Sequence, residues 1–496
     1  MGVMSFHLPP TLADDLRPEL ERASVTGGQD HMPYPTEAAI DGNRLILTRT
    51  VDESGNLQTP WRIDGVGQLM TSTATLMERA SPYDLAIELA RGKLNQLRCQ
   101  TAEWTLGGLL TPDILSDQIK ESIHAFSRAL MALPNPDATG HAEQALRVAS
   151  RASHELVRSY TERVLDFRHQ RQPKFDTLQS CRLESGADEL PQAPRFKEAF
   201  NTVSLGFSWR EIEPGNGSYS WDAHDRVLDW ALANGLKVIG GPLIDFGGRN
   251  LPDWLWEHTT DLHTLSLRLT EFAEMVVRRY QPRIRTWQVS AGSNRAGILA
   301  RRDEELIWLT LRLADTLKRV NPQLEIIVGI SHPWGEYLAQ QERSKTPFTF
   351  ADDLLRTGVK LAALELEFVM GVAPRGSYCR DLLDASRVLD LYALLGVPIQ
   401  VTLAYPSSAS ASELADPDQR VNLGHWRAGY TPAAQADWTD AFASLALCKP
   451  YVRTVQWAHW SDAQPHTYPH CGLIDAQGRE TAALEALVKL RASHLK

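Results

Sequence analysis

The sequence predicts an α/β protein, a (β/α)8 TIM barrel preceded by a β-rich module and a helical hairpin. Three observations lead there. From about Phe175 onward, eight short apolar runs alternate with amphipathic segments, and eight such units in roughly 300 residues fit a closed barrel better than an open sheet. The first third of the chain lacks this alternation. With 496 residues, there is also chain to spare for further domains.

Residues 1–100 read as a small β-rich module, because the run Arg44 to Val51 leads into an Asp-Glu-Ser-Gly-Asn turn, as in a hairpin. Residues 101–172 read as a helical hairpin. Thr111-Pro112 supplies a helix start, Ile119, Ile123, Phe126 and Leu130 follow at helical spacing, and PNPDATG separates them from a second helix, about His141 to Phe167. Residues 173–496 supply the barrel. Its strands are TLQSCRL, NTVSLGF, LKVIGGPLIDF, IRTWQVSAG, LEIIVGIS, AALELEFVM, PIQVTLAY and RTVQWAHWSD, with helices such as HDRVLDWALANG and EELIWLTLRLADTLKRV between them. At the end, Gly472 to Asp475 and Gln477-Gly478 turn into a closing helix from Thr481.

Composition narrows the function. A 43% hydrophobic and 23% charged chain is ordinary for a globular protein, and a net charge of -10 argues against a nucleic-acid partner. An uncharged polymer or small molecule fits better. The five cysteines are odd in number and scattered, as expected of reduced thiols. The first residues lack a basic segment followed by an apolar run, and no apolar stretch approaches a membrane span, so a cytoplasmic location with no membrane partner is expected.

The segment from Phe200 to Leu255 carries a recognisable order of pieces: Phe200 to Val203, Trp209 to Pro214, Tyr219 to Trp221, Asp229 to Gly235, Lys237 to Gly241 and Pro252 to Leu255. In order and spacing these resemble the second and third barrel units of family 10 glycoside hydrolases, the xylanase family. The resemblance is continuous over about 60 residues and looser across the rest of the barrel. It implies a retaining glycosidase, with an acid/base glutamate ending strand four and a nucleophilic glutamate ending strand seven, the two carboxyls about 5–5.5 Å apart.

Neither glutamate is present. The strand-four motif aligns with Trp287 to Gly292, placing Gly292 at the acid/base position, and the next carboxylate is Asp303. The strand-seven motif aligns with Val401 to Tyr405, placing Leu403 at the nucleophile position, and the next carboxylate is Glu413. The sugar-holding E-N-x-x-K-like segment is Leu205-Gly206-Phe207-Ser208, and the histidine expected after the third strand's glycine is Pro242. The family's double displacement therefore cannot run at these positions.

Other acids lie at strand ends. Asp245, Glu367 and Asp462 are candidates for relocated catalysis. Glu365 and Glu367 share a strand face, where burial is costly without partners, and Arg182 or another mouth cation could instead neutralise them in a structural network. Trp209, Tyr405, Trp457, His459 and Trp460 are candidates for sugar contact, with core packing the alternative for the tryptophans. The series His459, Asp462, His466, His470, Cys471 matches no strong ligand signature, so neither metal nor cofactor is expected.

These residues predict a carbohydrate-related protein that binds a β-glycan or oligosaccharide at the barrel mouth without the family's catalysis. One alternative is an active carbohydrate enzyme using Asp245, Glu367 and Asp462. The other is a non-enzymatic scaffold that displays its N-terminal region.

Overall fold

The computed structural model describes residues 2–184, 190–247, 250–258, 261–295, 297 and 300–496. All eight predicted barrel strands are present: Leu178–Leu183, Thr202–Leu205, Lys237–Gly240, Thr286–Ala291, Glu325–Ile330, Ala363–Val369, Ile399–Ala404 and Val452–Trp457. They pair in parallel in chain order. The ring closes where the eighth strand meets the first, with Thr454 opposite Leu178, and Ile239 of strand three sits opposite Thr286 of strand four. After strand three the chain makes a short bridge, Ile244–Asp245, onto the end of strand four, with Asp245 opposite Ala291.

Strands six and seven are buried at every residue, which is why they read as continuous apolar runs. Inside and outside still alternate. Leu364, Leu366 and Phe368, like Val401, Leu403 and Tyr405, join the large core beneath the helices. Within the barrel, Leu178, Ile239, Ile327 and Ala363 pack together as an apolar plug. Above the plug the filling is polar: Gln288, Glu365, Thr402 and Gln456 meet from strands four, six, seven and eight.

The N-terminal third differs from its sequence reading in two respects. Arg44–Arg49 does form a strand, but its hairpin partner precedes it: Thr36–Asp41 pairs with it across the Gly42-Asn43 turn. The Asp-Glu-Ser-Gly segment instead carries the chain to Gly55–Ile63, a strand of a different sheet. The α-helices number three among the described residues of this region: Leu85–Leu106, Asp113–Ala132 and Asp137–Arg171. The first starts inside the stretch read as β-rich, where the Asp84 carboxylate accepts a hydrogen bond from the Ile87 amide. Its signal is weak because it is buried on several sides. Gly92 lies so close to the sheet that a Cβ there would fall 2.3 Å from the Ser72 carbonyl oxygen.

This region is built into the barrel. His425–Trp426, from the segment after strand seven, adds to the edge of Gly67–Leu76 in the five-stranded sheet. Lys93 pairs with Asp381 at the start of the barrel helix Leu382–Ala393, and the Gln68 amide donates to the Tyr378 hydroxyl at 2.8 Å. Among the described residues, no helix is long and apolar enough to cross a membrane.

Candidate functional site

Functional groups of such barrels gather where the strands end and their following loops begin. Here Asp245 arrives on the bridge after strand three. Its Oδ1 accepts from the Gly247 amide at 3.0 Å, and its Oδ2 is held by the Arg375 guanidinium. Arg375 comes from the loop after strand six. From that strand, Glu367 Oε2 accepts a hydrogen bond from Ser331 Oγ at 2.7 Å, and Ser331 follows strand five. Two residues below, the fully buried Glu365 accepts from Gln288 Nε2 and Thr402 Oγ1, with Arg182 Nη2 3.7 Å away.

The carboxyl of Glu367 is pushed up to about 7. Burial is the main cause and the charge of Glu365 adds to it, while Arg375 and the Ser331 hydrogen bond oppose it. Beside it, His332 is buried with a ring pKa well below the ordinary value, first because of burial and then because of Arg295. Arg295 Nη1 lies 3.3 Å from His332 Nε2 and donates to the Pro374 carbonyl at 3.2 Å. The mouth is thus a buried set of carboxylates and arginines, with a carboxyl poised to exchange a proton near neutrality.

Gly292 lies within this set. A Cβ built on it would be 3.4 Å from Ser331 Oγ and 3.9 Å from Asp245 Oδ1, so the acid/base position of the resemblance faces the mouth. Its φ of 61° is a left-handed conformation that disfavours any side chain. Leu403 is different. It faces the helix layer, whereas its neighbour Thr402 turns inward to Glu365 and Gln456. The inward strand-seven positions are therefore Gln400, Thr402 and Ala404, which carry no carboxylate.

Among the described residues, Asp462 keeps to a group of contacts separate from that of Asp245 and Glu367 and organises the loop after strand eight. Its Oδ1 lies 2.8 Å from His459 Nε2 and 3.5 Å from His466 Nε2, and accepts from the Gly472 amide at 2.9 Å. His466 is held neutral, its pKa lowered to about 4 mainly by burial. His470 and Cys471 stand apart, engaged with Ser410 and the Pro469 carbonyl.

Three of the aromatic candidates are core residues. Trp209 stacks on Phe272 with ring centroids 4.4 Å apart, and its indole N–H donates to Glu213 at 2.8 Å. Tyr405 stacks on Trp438 of the helix Pro432–Cys448, and its hydroxyl accepts from the Trp426 amide. Trp457 donates to the Cys471 carbonyl at 2.8 Å. Tyr405 and Trp457 sit at outward positions of their strands and Trp209 in the short helix after strand two, so each ring is spent on packing. Trp460 is half-buried, packed on Phe196, and lines a small cavity with Arg182, Glu184, His459 and His466.

Arg375, Ser331, Arg295 and His332 went unnoticed in the sequence. They lie on loops, and the only local hints are proline-flanked turns such as Ala-Pro-Arg-Gly.

Fold and site together define a (β/α)8 barrel with an acid- and arginine-lined mouth at the C-terminal ends of its strands. Comparison with known proteins gives the barrel its relatives. The sequence profile of glycosyl hydrolase family 10 matches residues 174–295. Endo-1,4-beta-xylanase B of Thermotoga neapolitana is 23% identical over 293 residues, which cover 55% of this chain and 75% of that one. Beta-1,4-xylanase of Dictyoglomus thermophilum is 30% identical over 95 residues, 19% of this chain and 26% of that one. Among solved structures, a Thermobacillus composti GH10 xylanase matches with a TM-score of 0.47 and 17% identity, covering 63% of this chain and 96% of that one. The chain carries a family 10-like barrel and is a xylanase-like, carbohydrate-related protein.

Proposed function

We propose that the protein binds a β-glycan or oligosaccharide at the barrel mouth and does not perform retaining double displacement. One observation supports this above the others: the mouth-facing residues ending strands four and seven, Gly292, Thr402 and Ala404, offer no carboxylate pair about 5–5.5 Å apart to flank a glycosidic bond. What replaces the pair is a fixed array of donors and acceptors, Arg375, Asp245, Ser331 and Glu367, of the kind that orients hydroxyl groups. The relatives, xylanases by name, make xylan-type oligosaccharides the first occupants to try. A binding screen over β-glycans and their oligosaccharides tests the proposal; finding no ligand would count against it.

The raised carboxyl of Glu367 favours a second reading, an enzyme with relocated acids in which Glu367 gives up a proton beside Asp245. Asp462 is less suited, since one of its oxygens is committed to His459 and Gly472. If Glu367→Gln and Asp245→Asn leave a measured glycan cleavage unchanged, this reading fails.

A further inference from the structure

We propose that His459, Asp462 and His466 form a binding site for a divalent transition-metal ion of the zinc class, on the rim of the barrel mouth after strand eight. One donor atom from each residue can be chosen so that all lie within 4.8 Å of one another, and all three side chains are buried. The two Nε2 atoms stand 2.8 and 3.5 Å from the same oxygen, Asp462 Oδ1. Tetrahedral ligands about 2.0–2.1 Å from an ion lie about 3.3 Å from each other, so small side-chain movements would complete the geometry.

The hydrogen bonds around the cluster favour a cation. His466 Nδ1 lies 2.7 Å from the Gln464 carbonyl oxygen, which can only accept, so the ring proton is on Nδ1. His466 Nε2 then carries the ring's lone pair, 3.4 Å from Ser412 Oγ, which can donate to it, and 3.5 Å from the carboxylate oxygen Asp462 Oδ1. An ion between the nitrogen and the carboxylate would bond to both, in place of that one long serine hydrogen bond. A ligating histidine whose other nitrogen donates to a backbone carbonyl is also the arrangement that fixes tautomer and ring direction in metal sites. The rings of His459 and His466 stack with centroids 4.9 Å apart, and the Gly472 amide fixes the carboxylate.

The cavity beside the cluster measures about 20 Å³, room for one water, and is shared with Arg182 and Glu184. A water as fourth ligand fits there. Two imidazoles and one carboxylate select zinc-like ions over magnesium and calcium, which prefer all-oxygen sets. This departs from the expectation drawn from sequence spacing, because the loop brings in His466 and leaves out His470 and Cys471.

The test is to strip the full chain with a chelator, dialyse it against zinc, cobalt or magnesium, and count bound ions by elemental analysis. One zinc per chain, no magnesium, and a Tm that rises with zinc are expected. The His470→Ala variant should keep the zinc, whereas His466→Ala and Asp462→Asn should lose it while remaining folded by circular dichroism. Should those two variants not fold, the cobalt-loaded wild-type protein supplies the reading, with the strong visible absorption of a tetrahedral site expected. Less than a tenth of an equivalent of zinc, equal binding in folded His466→Ala, or a cobalt form without that absorption would overturn the proposal.

Discussion

Replacing Arg375 with methionine should unlock the mouth. The Asp245–Arg375 pair is nearly dry, with side chains 6% and 16% exposed. Removing one member of a buried pair strands the other, at a cost of about 3–5 kcal/mol. Glu367 also loses the cation that opposes its upward shift. At about 2–4 °C per kcal/mol for domains of 150–250 residues, and less for longer chains, Tm should fall by roughly 5–10 °C. Adding Asp245→Asn removes the stranded charge, so the double variant should recover much of the loss. Thermal unfolding of the four proteins in the cycle measures the coupling. If Arg375→Met costs less than about 1 kcal/mol, the level of a surface pair, or if the two losses simply add, the ion pair does not organise the mouth.

Other outcomes follow from the same geometry. Because the folded carboxyl of Glu367 titrates near 7, above its ordinary value of 4.5, the folded chain keeps a proton that the unfolded chain releases between those values. Stability should therefore fall as pH rises through that window, by an amount on the order of 3 kcal/mol, and Glu367→Gln should flatten the dependence in denaturation curves at pH 5 and pH 8. Trp209→Ala should cost about 3–5 kcal/mol in unfolding experiments, while the folded fraction binds glycan as before. Leu403→Glu with Gly292→Glu should not restore hydrolysis in a reducing-sugar assay: Leu403 faces the helix layer, where a carboxylate is only buried, and Gly292 has a left-handed backbone. Deleting residues 1–84 should leave the barrel insoluble or unfolded, because it uncovers the edge at His425–Trp426 and the apolar face of the helix Leu85–Leu106; a soluble, cooperatively folding remainder would favour a detachable display module.

The barrel could be read because parallel strands buried on both faces leave uninterrupted apolar runs, and all eight were visible. What the runs conceal is parity. Glu365 and Glu367 were seen to share a face because they sit two apart, but the same rule applied from Thr402 would have turned Leu403 and Tyr405 outward, as Gln456 turns Trp457. Aromatic character drew attention to rings whose strand positions commit them to the helix layer. The partners of the acids were not legible for a different reason. Arg375 lies 130 residues from Asp245 on an irregular loop, and no local pattern links them. The first helix was obscured by its own burial, with Gly92 and Lys93 turned to the sheet and to Asp381 rather than to solvent.

The central claim is binding without double displacement, and it meets its most direct test when one oligosaccharide is followed in two ways. Calorimetry with purified protein and the best ligand of a xylo-oligosaccharide series, alongside proton NMR of the same mixture over a day, reads occupancy and turnover together. Saturable one-site binding that weakens at least tenfold in Arg375→Met, with the anomeric signals of the sugar unchanged, is the predicted result. New reducing-end signals that appear first in the retained configuration and vanish in Glu367→Gln would contradict it.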